Sequence, residues 1–134
     1  MDYRSLAKLA RAAKKHSYSP YSRFRVGAAL LAKDGKVFTG CNVEDSSLGL
    51  TVCAERTALL KAVSEGARKF VAIAVASDEN GFTSPCGACR QVLLDIAGDI
   101  DVVLTAPGGK MQVLKTSDLL PYPFGAENLT RKKP

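Results

Sequence analysis

The sequence contains no tryptophan, one histidine and only four cysteines among 134 residues. Its five Phe and four Tyr are not interleaved with basic stretches, which argues against the stacking platforms of single-strand nucleic-acid binders. The formal charge of +6 includes RKK at 131–133, and we interpret this excess as solvated surface. Nucleic acid is therefore not an expected partner. The lone histidine, His16, lies outside every motif and is not expected to be a ligand.

Long hydrophobic runs are also missing. No window approaches the roughly 18 consecutive apolar residues of a membrane span. Residues 1–17, MDYRSLAKLARAAKKHS, lack the uninterrupted apolar stretch of a secretory signal. We expect a soluble, cytoplasmic protein with no membrane contact. In a reducing compartment, cysteines are more typical of metal binding or catalysis than of disulfides.

The hydrophobic pattern predicts one α/β domain over residues 1–134, with residues 126–134 as a peripheral tail. Apolar residues recur at helical spacing near the N-terminus, and the Asp34-Gly35 pair predicts a hairpin. Helix and strand alternate from residue 53 onward, which favours a layered α/β structure. The expected helices cover 3–15, 53–66 and 85–98, and the expected strands cover 24–32, 36–43, 70–77, 101–106 and 111–115.

Three of the four cysteines lie at the starts of predicted helices. Cys53 opens one helix and Cys86 another, with Cys89 three residues later on the same face. Helix N-termini stabilise thiolates, which are the form that binds metal. Three protein ligands leave a tetrahedral zinc with one open position, as in catalytic sites. Cys41 has no partner at ligand spacing and is expected to be a small buried hydrophobe.

Glu55 lies two residues beyond Cys53 in the run CAE. The two side chains converge only if Cys53 is the helix N-cap, where the backbone is not yet helical. A carboxylate beside a zinc-bound water can act as general acid and base. Taken alone, Glu55 is better explained as a first-turn carboxylate that complements the helix dipole. Its position beside three thiols favours the catalytic interpretation.

The charge of such a site requires a nearby cation. Three thiolates and Zn²⁺ sum to −1, which weakens the pull of the metal on its water. Arg56 and Arg90 are both candidates to compensate this charge through contacts to the sulfurs. Ordinary surface solvation remains the alternative for each of them.

The cysteine and glutamate motifs carry a family resemblance. C-x-E at 53–55 followed by P-C-x-x-C at 85–89 resembles the signature of zinc nucleoside and nucleobase deaminases. Further matches lie in the same order along the chain: PYSRFRVGAAL at 20–30, GCNVE at 40–44, TVCAERTAL at 51–59, SPCGACRQVL at 84–93 and LLPYPF at 119–124. Together they resemble the small homotetrameric cytidine deaminases.

The resemblance implies a three-layer fold, in which a mixed sheet of about five strands carries helices on both faces. It implies one zinc per subunit, held by Cys53, Cys86 and Cys89. It implies hydrolysis of cytidine, and of 2′-deoxycytidine, to uridine or deoxyuridine and ammonia in pyrimidine salvage. Zinc-activated hydroxide would attack C4 while Glu55 shuttles protons to N3 and to the departing amine. Arg56 would offset the thiolate charge.

The resemblance also implies a set of substrate contacts: Phe24, Asn42, Glu44, Ala54 and Phe124. Asn42 and Glu44 would bind the ribose, and residues two apart at a strand end do project from one face. Phe24 would pack on the nucleoside. Phe124 would reach the pocket of a neighbouring subunit, which predicts an obligate homotetramer with shared pockets. Leu48 stands where family members often carry an aromatic residue, so the contact near the sugar is expected to differ.

Three rival interpretations remain open at this point. The chain could deaminate another cytosine-containing small molecule or a nucleic acid base. The CGAC run at 86–89 could be a thioredoxin-like redox pair, although this leaves Cys53 and Glu55 unused. A structural zinc module would need Cys41 as a fourth ligand.

Overall fold

A computed structural model describes residues 1–130, so only residues 126–130 of the predicted tail at 126–134 are among the described residues. The helices are α1 (Tyr3–Lys14), α2 (Ala54–Ser64), α3 (Gly87–Val92), α4 (Thr116–Leu119) and α5 (Glu127–Thr130). The strands are β1 (Val26–Ala32), β2 (Val37–Cys41), β3 (Phe70–Ser77), β4 (Asp101–Ala106) and β5 (Lys110–Lys115). None of the helices within this part of the chain is long and apolar enough to cross a membrane.

The strands form one mixed sheet in the order β2-β1-β3-β4-β5. β1 runs antiparallel to both β2 and β3, β3 runs parallel to β4, and β4 runs antiparallel to β5. The predicted mixed five-stranded sheet is confirmed. Because β2 and β3 both oppose β1, they point the same way. The segments that follow them, which lead to α2 and α3, therefore leave from the same edge of the sheet.

Helices cover both faces of this sheet. Alternate residues of β1 point to opposite faces, as the period of a strand requires. Ala28 and Leu30 pack in the cluster that contains α2, whereas Ala29 and Leu31 pack in the cluster that contains α1. The predicted three-layer α/β arrangement is therefore confirmed, and α2 and α3 share one face.

The sheet edge near the first two strands differs from the prediction. β1 begins at Val26 instead of residue 24, and β2 ends at Cys41 instead of residue 43. The side chain of Asn42 causes the difference, because its amide accepts from the N–H of Val26 (2.9 Å) and donates to the carbonyl of Phe24 (2.8 Å). A side chain thus occupies backbone groups that a longer strand pair would have used.

The predicted helix at 85–98 is also different. Its α-helical part spans Gly87–Val92, and Leu93–Ala97 continues as a π-helical turn that ends at Gly98. The N–H of Gly98 donates to the carbonyl of Leu93, a wider spacing than in an α-helix. The two short helices α4 and α5 were not predicted.

Gly40 lets α2 lie directly on β2. A Cβ atom at this position would be 2.5 Å from the backbone N of Ala58 and 2.7 Å from the carbonyl O of Ala54. These are backbone atoms of the helix, so they cannot rotate away as a side chain would. The close contact at Gly40 therefore sets the height of the N-terminus of α2 above the sheet.

We predict that Gly40→Ala destabilises the protein by about 1–3 kcal/mol, because the added methyl forces backbone apart. The free energy of urea unfolding measures the effect. Gly81→Ala is the matched control, since a Cβ there meets nothing within 4 Å. Equal stability of the two variants would contradict the close contact.

Candidate active site

Two cysteines occupy helix N-caps at the shared edge of the sheet. Cys53 caps α2 with an extended backbone (φ −70°, ψ 156°), and Cys86 caps α3 in the same conformation (φ −67°, ψ 167°). The cap position expected for Cys53 is therefore confirmed. Both thiols lie at the positive end of a helix dipole, where negative charge is stabilised. Cys89 follows within the first turn of α3 and is fully buried.

The three sulfur atoms form one cluster. The Sγ atoms of Cys53 and Cys86 are 3.7 Å apart, those of Cys86 and Cys89 are 3.6 Å apart, and all three lie within 4.8 Å of one another. Tetrahedral zinc with bonds of about 2.3 Å holds its sulfur ligands about 3.8 Å apart. The thiols therefore fit zinc as they stand. Within residues 1–130, this is the group of three or more potential ligands that could hold a metal.

Cys41 does not join the cluster. It is half-buried and lines a separate cavity with His16 and Lys61. Burial raises the pKa of its thiol, which makes it a poor ligand as well as a distant one. The structural zinc module thus lacks its fourth thiol in the described part of the chain.

Arg56 supplies positive charge at the cluster. Its Nη2 donates to the Sγ of Cys53 at 3.4 Å. A hydrogen bond from Cys89, supported by those from Arg56 and Cys86, lowers the pKa of Cys53 to about 5. The hydrogen bond between Cys89 and Cys53, together with burial, raises the pKa of the Cys89 thiol. The other candidate, Arg90, donates to oxygen atoms and not to sulfur.

Glu55 stands next to the cluster and is only 3% exposed. Its Oε1 atom has no hydrogen-bond partner among the described residues. Burial raises the pKa of the carboxyl to about 6. An unpaired buried carboxylate oxygen costs free energy, so it calls for a partner that the chain itself does not supply.

Glu55 and two of the thiols open onto a cavity of about 270 Å³. The loops that precede α2 and α3 and the turn before β1 build its wall. The lining residues are Ser22, Phe24, Val26, Asn42, Glu44, Thr51, Cys53, Glu55, Thr83, Ser84 and Cys86.

Of the predicted substrate residues, Phe24, Asn42 and Glu44 line this cavity, whereas Ala54 and Phe124 do not. The side chain of Ala54 is fully buried in the core, so any substrate contact is left to its backbone. Phe124 is 60% exposed and lies at a second cavity, where its carbonyl accepts from Gln91.

Asn42 and Glu44 do more than face the cavity. The carboxylate of Glu44 accepts from the N–H groups of Tyr21 (3.0 Å) and Ser22 (3.1 Å) and from the hydroxyl of Ser22. The hydrogen bond from Ser22 lowers the pKa of Glu44, which keeps it charged. The side-chain oxygen of Asn42 accepts from the N–H of Val26 and from the hydroxyl of Ser17, and its side-chain nitrogen donates to the carbonyl of Phe24. Both residues therefore hold the wall that carries Phe24.

Several lining residues escaped the sequence interpretation: Ser22, Val26, Thr51, Thr83 and Ser84. Thr83 and Ser84 directly precede the P-C-x-x-C run, so their place beside the motif was the available signal. Leu48, where the contact near the sugar was expected to differ, is 67% exposed and does not line this cavity.

The comparisons with known proteins agree with one another. A family model for the zinc-binding region of cytidine and deoxycytidylate deaminases matches residues 1–106. The chain is 52% identical over 130 residues to a cytidine deaminase of Halalkalibacterium halodurans, covering 96% of this chain and 98% of that one. It is 47% identical over 131 residues to a cytidine deaminase of Sporosarcina psychrophila, covering 97% and 96%.

Solved structures give the same result. The crystal structure of a cytidine deaminase from Burkholderia pseudomallei superposes with a TM-score of 0.90 at 50% identity, covering 92% of this chain and all of that one. Family model, full-length identity and fold thus coincide with a three-thiol cluster at two helix N-caps. The chain belongs to the zinc-binding cytidine and deoxycytidylate deaminase family.

Proposed function

We propose that the protein is a cytidine deaminase that converts cytidine, and 2′-deoxycytidine, to uridine or deoxyuridine and ammonia in pyrimidine salvage. The buried carboxylate of Glu55, whose Oε1 has no hydrogen-bond partner among the described residues, carries the proposal because it lies beside the three-thiol cluster. A proton carrier and a metal site that open onto one cavity are what hydrolytic deamination requires. A redox pair at 86–89 would give no role to either feature.

The three thiolates would hold one zinc per chain. When bound, zinc is a Lewis acid that lets water act as a nucleophile at neutral pH. Arg56, in contact with the Sγ of Cys53, offsets part of the negative charge of the thiolates. Burial of Cys89 and Glu55 keeps bulk water away from the reacting atoms, which strengthens electrostatic contacts there.

Glu55 would move the protons of the reaction. It takes a proton from the attacking water and delivers it to N3 of cytosine as the new C4–O bond forms. It then carries the remaining hydroxyl proton to the amino group, the C4–N bond breaks, and ammonia leaves. A carboxylate suits both transfers because burial brings its pKa nearer to neutrality.

The other cavity residues would hold the nucleoside. Glu44 is charged and has accepting capacity left after its three hydrogen bonds, so it can take a sugar hydroxyl. Asn42 keeps one amide hydrogen for a second hydroxyl. Phe24 offers an apolar face to the base.

The cavity favours a nucleoside over the rival substrates. Among residues 1–130, no lysine or arginine lines the cavity, and its ionisable groups besides the thiols are the carboxylates of Glu44 and Glu55. From these residues a phosphate group would meet negative charge and no cation. A nucleotide or a nucleic acid base is thus the weaker candidate.

We also propose a homotetramer with shared pockets. Phe124 is largely exposed and lies outside the cavity of its own chain, which suits a side chain that completes the pocket of a neighbour. Leu48, Leu50 and Leu60 are further exposed apolar residues that subunit contacts would cover. The chain would act as one domain in the cytoplasm, where thiolate ligands stay reduced.

Glu55→Gln is expected to keep one zinc per chain and to lose roughly 10²–10⁴-fold in kcat, because the amide cannot carry a proton. Cytidine absorbance gives the rate and atomic emission gives the metal content. Glu65→Gln, exposed at the far end of α2, is the control and retains parent activity. Turnover by Glu55→Gln within about tenfold of the parent would contradict the proton-carrier role.

Glu44→Gln tests the sugar contact. The amide oxygen can still accept from the N–H groups of Tyr21 and Ser22, so the loop remains supported while the charge is lost. We expect KM for cytidine to rise about tenfold, and KM for 2′,3′-dideoxycytidine to stay close to that of the parent, since a charged hydrogen bond contributes about 1.5–3 kcal/mol. Equal effects on both substrates would instead assign Glu44 to the wall alone.

Phe124→Ala tests the shared pocket. We expect a KM rise of about tenfold or more for the pure variant, from lost apolar burial. Co-assembly with Glu55→Gln chains, which are inactive but carry an intact Phe124, should restore a low KM to part of the sites. Failure of the mixture to recover would place Phe124 in its own chain's pocket or outside any pocket.

A further inference from the structure

We propose that Arg90 is a positioning residue that ties the segment before Cys86 to the segment that carries Phe124. One side chain would thereby set both the geometry of the thiol cluster and the placement of Phe124. The inference rests on the proposed function for the roles of the cluster and of Phe124. The sequence had offered Arg90 only as a charge beside the thiolates.

The contacts of Arg90 join two distant parts of the chain. Its Nε donates to the carbonyl of Pro85 (2.8 Å) and its Nη2 donates to the hydroxyl of Ser84 (2.7 Å). Its Nη1 donates to the carbonyl of Leu119 (3.0 Å), 29 residues away in sequence. The planar guanidinium therefore holds three acceptors in a fixed relation to one another.

The hydrogen bonds from Arg90 to Ser84 and Pro85 support Cys86, the least buried of the three clustered cysteines. Cys89 is fully buried in α3, whereas Cys86 is exposed. Cys86 follows directly after Ser84 and Pro85, the two residues that Arg90 grips. Holding that segment fixes the chain that delivers the exposed Sγ to the cluster.

The other side of the tie supports the segment before Phe124. Leu119 ends α4, and the next residue on α3, Gln91, donates through Nε2 to the carbonyl of Phe124 at 2.8 Å. Between these two attachments lies Tyr122, which is exposed and has a left-handed φ of 52°. Consecutive side chains of α3 thus hold both ends of the 119–124 segment.

Geometry, rather than charge, is the contribution of Arg90. Its donors reach two carbonyls and a hydroxyl, while Arg56 is the arginine that touches a sulfur. A lysine keeps the positive charge, but its compact ammonium cannot reproduce a planar fork to three acceptors. Arg90→Lys therefore separates the two roles.

The test measures zinc release from the purified holoenzyme to a chromogenic chelator, together with KM and kcat for cytidine. We expect Arg90→Lys to release zinc about 10–100-fold faster than the parent, the range typical of residues that orient metal ligands. We expect its KM to rise as Phe124 shifts, with kcat of the zinc-saturated enzyme within about threefold of the parent, because the proton carrier is untouched.

Two further variants isolate the arms of the tie. Ser84→Ala removes one acceptor on the thiol side and should speed zinc release, which is the readout for this variant because Ser84 also lines the cavity. Gln91→Ala removes only the hydrogen bond to Phe124 and should raise KM with zinc release unchanged. Arg90→Ala is compared with the parent only if its thermal unfolding is cooperative. If it is not, the test uses Arg90→Lys alone.

Parent-like zinc release and KM in Arg90→Lys would overturn the proposal and assign Arg90 to charge. Faster release in Gln91→Ala as well would also overturn it, because general loosening of α3 would then explain the result. Zinc release does not depend on turnover. A failure of the proposed function, seen as no conversion of cytidine by the parent, therefore remains distinguishable from a failure of this inference.

Discussion

The mutual approach of three sulfur atoms, all within 4.8 Å, is the constraint on which the site depends. Thiolates repel one another at this distance, so each needs positive potential from its surroundings. Two helix N-termini and the guanidinium of Arg56 supply it. The strand order makes this possible, because β2 and β3 point the same way and the segments after them lead to α2 and α3 from one edge.

Close packing of helix on sheet then determines how accurately the parts meet. Gly40 allows the backbone of α2 to rest on β2, which sets the depth of Cys53 and Glu55. The resulting burial leaves a carboxylate oxygen unpaired, at a cost in stability. Natural proteins retain such costs where they serve chemistry. Stability and catalytic readiness are therefore set by the same contact.

Much of the architecture was predictable from local pattern. The strands at 70–77 and 101–106 were predicted to the residue, because each is a continuous apolar run buried on both faces. The metal-ligand candidates and Glu55 came from spacing and motif. The ends of β1 and β2 were wrong because a side-chain amide, that of Asn42, replaced backbone pairing. The tie made by Arg90 could not be predicted, since it depends on residues 84, 85 and 119 meeting in space.

Asn42 and Glu44 each have two roles, and this limits which substitutions the cavity can tolerate. Each side chain supports the loop beside β1 and also lines the cavity, so replacing either one changes the shape of the cavity and its polar groups together. Thr51 borders the same space and also supports the chain, because its hydroxyl accepts from the N–H of Asp45 at 3.1 Å, whereas Val26 borders it with an apolar side chain that makes no hydrogen bond. Tolerance to substitution therefore differs among the residues that line this cavity.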